Sequence, residues 1–267
     1  LYKSGGHTLK RDLSASVNDI GNGILNVEFH SILQPRLNPI DSSYVEMINH
    51  ALDLIDEGKY RAVVMGHEGA NFSAGANLNL FLELSQDNQW DTLDLAVKTF
   101  QNMTQRIRFS KGPVVAAPFQ LTLGGGTEII QPAAHRVASA ETYMGFVEMG
   151  VGLIPGGGGN LRMILNAIDE NKGAMGAFQK IQKAFETIGF AKVAKGAYEA
   201  KDLGLLKQDD TIIMNRDYLI QAAKNKALEL ADGYSPPEYN DSLKLPGAGG
   251  RTAMAMALKS FNLQRKI

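Results

Sequence analysis

The sequence contains no cysteine. Disulfides and thiolate metal ligands are therefore excluded, and a reducing, cytoplasmic setting is the expectation. An excess of one charge is also missing: Lys+Arg is 27, Asp+Glu is 28, and the formal net charge is −1. Net charge thus gives no electrostatic case for nucleic acid or an anionic membrane as a partner. No apolar run reaches the ~18 residues of a membrane-spanning helix. The first residues, LYKSGGHTLKRDL, hold no apolar core of the signal-peptide kind. The five histidines, His7, His30, His50, His67 and His135, form no HExxH or other close pair, so no metal site is expected. GxxxxGK[ST] is absent, and GVGLIPGG has Pro155 where a dinucleotide fingerprint needs its third glycine. NFSAG (71–75) has Asn71 in place of the first glycine of a nucleophile elbow, which disfavours Ser73 as a nucleophile.

What is present is a chain of 267 residues, enough for one sizeable core. The first dozen residues read as a loose lead-in. GILNVEFHS (23–31) and YRAVVMGHE (60–68) read as strands, PVVAAPFQLTL (113–123) as a buried strand, and HRVASA (135–140) as another. Residues 42–58 carry Tyr44, Ile48, Ala51, Leu52 and Ile55 at helical spacing, with Ser42 or Ser43 as N-cap and Gly58 as terminator. Residues 77–110 are amphipathic and helical, with a break near Asp87–Asn88. From Asn160 the pattern is mainly helical, then irregular over 233–250, and it closes with RTAMAMALKSF. The small-residue and Met stripe of that last helix is expected to face the core, with packing on another chain as the alternative. Strands alternating with helices indicate an α/β protein of one main domain with a helical tail.

Three glycine-bearing loops stand out: SAGANL (73–78), LGGGTE (123–128) and FVEMGVGLIPGGGG (146–159). Glycine is costly in an ordered chain, so three in a row mark backbone that must come close to something. Each of the first two loops follows a strand and can supply a backbone N–H, the part an oxyanion hole needs. Glu128 and Glu148 each lie beside such a loop in apolar surroundings. Two carboxylates flanking a small cavity can divide general acid and general base work, because burial and repulsion separate their pKa values. A surface placement of both acids, one charge favoured near a helix N-terminus, is the alternative that spacing leaves open.

At these residues the sequence resembles the crotonase superfamily, and within it the enoyl-CoA hydratases. The resemblance lies in YRAVVMGHEGANFSAGANL, PVVAAPFQLTLGGGTEII and ETYMGFVEMGVGLIPGGGG, is continued by AKGAYEAKDLGLL (194–206), and covers roughly residues 20 to 235. It implies an α/β crotonase-type spiral of ββα units with a C-terminal helical region. The boundaries that follow are a lead-in over 1–19, a core over 20–190 and a helical region over 191–267. Carried over residue by residue, it implies oxyanion-hole N–H groups at Ala76 and Gly125, and catalytic carboxylates at Glu128 and Glu148. Ala74, Asn77, Leu78, Gly124 and Gly156 are implied as substrate-binding positions, the 74–78 loop bordering the coenzyme A portion. The expected activity is hydration of a trans-2-enoyl-CoA in fatty-acid β-oxidation. The alternatives are a Δ3,Δ2-enoyl-CoA isomerase on the same fold or a non-catalytic acyl-CoA-binding module. No bound cofactor is expected, since the substrate itself carries coenzyme A.

PFQLTLGGG, ETYMGF and GVGLIPGGGG look most like the hydratase part of two-module 3-hydroxyacyl-CoA dehydrogenases. On that reading the chain is one module of a longer protein, an expectation with which Leu1 and the Lys266–Ile267 end agree. The expected partner, besides an acyl-CoA substrate, is either copies of the same chain in a trimer or hexamer, or a dehydrogenase module absent from this chain. The sequence departs from the family pattern at three places. Asn77 stands where an aspartate is usual, Asn79 where a lysine often meets the coenzyme A phosphates, and Phe119–Gln120 where Asn-Gly is usual. The last change is expected to reshape the acyl pocket.

Overall fold

The computed structural model describes residues 7–169, 177–239, Leu245 and 247–263. The first six residues of the expected lead-in lie outside the described residues. So do 170–176 of the expected core, 240–244 and Pro246 of the irregular stretch, and 264–267 at the end.

A seven-stranded sheet forms the centre, in the order β1-β2-β3-β4-β5-β7-β10. β1 (Thr8–Arg11), β2 (Ala15–Asp19) and β3 (Ile24–Phe29) are antiparallel. From β3 onward, β4 (Ala62–Met65), β5 (Val114–Ala116), β7 (His135–Ser139) and β10 (Thr211–Ile213) run parallel. Residues 8–19 are thus an edge of the sheet and not the expected loose lead-in. Ala15 and Val17 are fully buried, while β1 is mostly exposed and shows no alternation to betray it. All four residues of β4 are buried, as in a strand covered on both faces.

α1 (Ser42–Asp56) buries Tyr44, Met47, Ile48, Ala51, Leu52 and Ile55, the expected stripe with Met47 added. Its cap is Asp41, not Ser42 or Ser43: the Asp41 carboxylate accepts the Tyr44 N–H at 3.3 Å. The long helical stretch divides into α2 (Leu78–Gln86) and α3 (Trp90–Arg108), with Asn88 at φ 56° between them. The expected strand over 113–123 also divides. β5 ends at Ala116, Pro118 has no N–H for a ladder, and Gln120 turns the chain with φ 46°. β6 (Gln120–Leu123) then joins a second sheet, pairing with β8 (Thr142–Gly145), which pairs with β9 (Val193–Ala194).

α4 (Gly125–Ile130) follows β6 without a loop. The later helices are α5 (Gly159–Asp169), α6 (Ala177–Gly189), α7 (Ala197–Asp202), α8 (Leu219–Ala231) and α9 (Gly247–Leu263). α8 packs on β4, β5 and β7. Arg136 of β7 and Asp210 before β10 form a buried ion pair at 2.6 Å, with side chains 2 % and 1 % exposed. No residue of 247–260 in α9 is buried, so its stripe does not face this chain's core as expected. Among the described residues no helix is long and apolar enough to cross a membrane.

Candidate active site

The three glycine loops meet where α4 leaves β6. Gly75 has φ 94°, and a Cβ there would lie 2.9 Å from the Leu123 carbonyl and 3.1 Å from the Gly125 nitrogen. Ser73 clamps the same backbone: its carbonyl accepts the Leu123 N–H at 2.9 Å, and its own N–H donates to Leu121 at 3.0 Å. A Cβ at Gly126 would come within 2.6 Å of the Ser73 carbonyl. Glycine is therefore required at 75 and 126 so that two loops can touch through bare backbone.

The contact places the nitrogen of Ala76 3.7 Å from where a Gly125 Cβ would stand. Among the described residues, neither the Ala76 N–H nor the Gly125 N–H donates to a protein acceptor. Gly125 opens a helix, where the first N–H groups have no partner within the helix.

Glu128 lies in the first turn of α4 and is 4 % exposed. Its Oε1 accepts the N–H groups of Gly157 at 2.8 Å and Gly159 at 2.9 Å. Glu148 starts a short 3-10 turn (Glu148–Val151) after β8. Its Oε1 stands 3.0 Å from where a Gly124 Cβ would be, and its buried Oε2 has no hydrogen-bond partner among the described residues. Burial pushes Glu128 up to about 7, and the nearby Glu148 charge adds to the rise. The N–H groups of Gly157 and Gly159 pull the other way and do not cancel it. Burial also raises Glu148 above the ordinary carboxylate value. Glu128 can therefore hold or release a proton near neutral pH.

The structure thus brings together Ala76, Gly124, Gly125, Glu128 and Glu148. Gly156 lies close by, its carbonyl accepting from Gln101 Nε2 at 2.7 Å. Ala74 donates its N–H to Leu37 at 2.8 Å, and Leu78 is half exposed. Asn77 caps α2, its side-chain oxygen accepting the Asn79 N–H at 3.2 Å; asparagine fills that role without the charge of aspartate. Phe119 is fully buried in a ring cluster with His67 and Phe72, with the Arg216 guanidinium 3.7 Å over its ring.

Sequence reasoning missed the α3 side of the site. Phe100 lies against Gly157 so closely that a Cβ there would fall 2.1 Å from its ring. Thr104 Oγ1 donates to the Gly157 carbonyl at 2.8 Å. The helical spacing of Phe100 and Thr104 was visible, but nothing in the sequence linked α3 to a loop more than fifty residues later. Among the described residues no group of three or more His, Asp or Glu is placed to hold a metal.

A family model described as enoyl-CoA hydratase/isomerase matches residues 33–208. The chain belongs to this family. A Bacillus subtilis protein named a probable 3-hydroxyacyl-CoA dehydrogenase is 40 % identical over 97 % of this chain, which spans only 32 % of that protein's length. A probable enoyl-CoA hydratase of the same organism is 28 % identical, covering 80 % of this chain and 82 % of its own. Among solved structures, enoyl-CoA hydratase from Bacillus anthracis aligns with a TM-score of 0.63 at 24 % identity, over 82 % of this chain and 75 % of that one. The enoyl-CoA hydratase from Polaromonas sp. JS666 aligns with a TM-score of 0.66 at 22 % identity, over 81 % and 77 %. These structural likenesses fix the fold, a crotonase-type α/β architecture with a C-terminal helical region.

Proposed function

We propose that this chain is an enoyl-CoA hydratase that adds water across the double bond of a trans-2-enoyl-CoA in fatty-acid β-oxidation. The observation that carries the reading is the meeting of buried Glu128 and half-buried Glu148, whose Oε2 is enclosed, with the Ala76 and Gly125 N–H groups, which donate to no acceptor among the described residues.

The thioester carbonyl oxygen lies against those two N–H groups, with Ala74, Asn77, Leu78, Gly124 and Gly156 around the substrate. A water molecule between the carboxylates gives a proton to Glu128 while its oxygen bonds to the β-carbon. The π electrons move onto the thioester oxygen, where the two N–H groups stabilise the charge; one such donor is typically worth ~10²–10³ in rate. For this step the pair's single proton must stand on Glu148, which delivers it to the α-carbon. The proton taken up by Glu128 then passes to Glu148, which restores the starting state, so the net change is addition of one water. The reaction calls on no bound cofactor.

The likeness to a longer protein named a 3-hydroxyacyl-CoA dehydrogenase supports a hydratase portion joined to a dehydrogenase module. Copies of the same chain, as a trimer or hexamer, are the other partner in this reading, and the exposed α9 supports a covering partner of one kind or the other. The absence of cysteine supports a cytoplasmic setting.

The test is the loss of conjugated enoyl-thioester absorbance on mixing with crotonyl-CoA, beside a Glu128→Gln protein. Loss with the natural chain and none with the variant is the expected result. No loss with any trans-2-enoyl-CoA, despite measured thioester binding, would refute the reading and direct attention to isomerase assays.

A further inference from the structure

The turn that carries Glu148 is unusually apolar for a surface segment. Met149, Val151, Leu153 and Ile154 are all exposed, Val151 at 55 % and Ile154 at 68 %. Neighbouring exposed apolar side chains of this kind mark a surface that something apolar covers. This surface is continuous with the carboxylates at both ends: Glu148 begins it, and Gly157 and Gly159, which hold Glu128, follow it. α3 lies beside it. In the first turns of α3 only Leu93, Val97 and Phe100 are half-buried, at the i, i+4, i+7 spacing of one helix face. Val97 Cγ1 stands 3.9 Å from where a Gly156 Cβ would be, and Phe100 is packed on Gly157 and lies 3.6 Å from a would-be Cβ at Gly125. With a rise of about 1.5 Å per residue, Leu93 is roughly 10 Å along the helix from Phe100.

Resting on the hydratase reading, we infer that the site takes long-chain enoyl thioesters, whose unsubstituted alkyl tail lies along Phe100, Val97 and Leu93 on one side and the Met149–Ile154 turn on the other. The occupant follows from atom order. With the thioester oxygen at the Ala76 and Gly125 N–H groups and the α- and β-carbons between the two acids, the next carbons pass Glu148. There they meet the apolar side chains of its own turn. A charged or hydroxylated tail would leave that apolar surface in contact with polar groups.

The experiment compares crotonyl-, trans-2-octenoyl- and trans-2-dodecenoyl-CoA by kcat/KM, with Kd values for saturated butyryl- and dodecanoyl-CoA measured by calorimetry. Full burial of a methylene corresponds to about fourfold in affinity, and half burial to about twofold. The gain from crotonyl to octenoyl is therefore expected on the order of tenfold. Ile154→Asn and Val97→Ser should each reduce the ratio of dodecenoyl to crotonyl kcat/KM, and of dodecanoyl to butyryl affinity. Equal or falling efficiency with chain length in the natural protein would overturn the inference while leaving hydration intact. A long-chain preference untouched by both variants, with Ile154→Asn changing the sedimentation coefficient, would overturn it in favour of a second copy covering the turn. If no substrate is hydrated, the hydratase reading falls, and the two Kd values still decide the trough: a chain-length gain sustains it and equal values refute it.

Discussion

Replacing Glu128 by glutamine should abolish hydration and at the same time stabilise the fold in alkaline solution. Burial raises this carboxyl from the ordinary 4.5 to about 7 in the folded chain. The native state therefore binds the proton more tightly than the unfolded chain does. Glu128 costs nothing while both states are protonated, below the unfolded value. As pH rises through that value and on to about 7, the unfolded chain ionises more readily, and stability is lost. The gap corresponds to about 3 kcal/mol once the native carboxyl is ionised. Glutamine is uncharged at every pH, and its carbonyl oxygen can still accept the Gly157 and Gly159 N–H groups. Thermal melts of both proteins across the range from about pH 5 to about pH 9 should show a gap opening with pH. At the alkaline end Glu128→Gln should melt roughly 6–12 °C higher, while its hydration rate falls by ~10²–10⁴. A variant that is less stable at alkaline pH, or whose advantage does not change with pH, would refute the argument that burial dominates the carboxyl.

The other expectations concern separate parts of the molecule. The proposed reaction requires Glu128 ionised to take a proton from water, so kcat/KM for crotonyl-CoA should fall as pH drops through about 7, read from a pH–rate profile. Glu148→Gln should cost ~10²–10⁴ in kcat while leaving dodecanoyl-CoA affinity near that of the natural protein, measured by calorimetry. Asp210→Asn leaves Arg136 charged and buried without its partner, which should lower stability by about 3–5 kcal/mol in urea titrations. Gly157→Ala puts a methyl into the Phe100 ring and should cost about 1–3 kcal/mol. Phe100→Leu should recover part of that loss in a double-mutant cycle.

Much of this architecture could be read from the sequence because its signals are local. The Tyr44-to-Ile55 stripe announced α1, and the Asp87–Asn88 pair announced the break between α2 and α3. The glycine loops and the two acids beside them are legible because triple glycine has few structural uses. Harder to read were features decided by distant parts of the chain. An apolar run gives no sign that Gln120 will carry it from one sheet into another. β9 and β10 are two and three residues long, too short for a period, and exist because β8 and β7 offer open edges. The exposed face of α9 looks in sequence like any core stripe. The support of the site by Phe100 and Thr104 depends on α3 meeting the 156–159 loop in space.

The two oxygens of Glu128 are not equivalent. Oε1 accepts two N–H groups from the loop after the Glu148 turn, leaving Oε2 as the atom that can exchange a proton with water. Under the proposed reaction, a carboxylate with one working oxygen reaches the substrate from one side. Glu148, held against Gly124, has its own fixed approach. The planar enoyl group, prochiral in itself, is therefore met by an environment with a single handedness. On the proposed reaction, the fork of hydrogen bonds that fastens the 157–159 loop also sets a single configuration at the product's new carbinol centre.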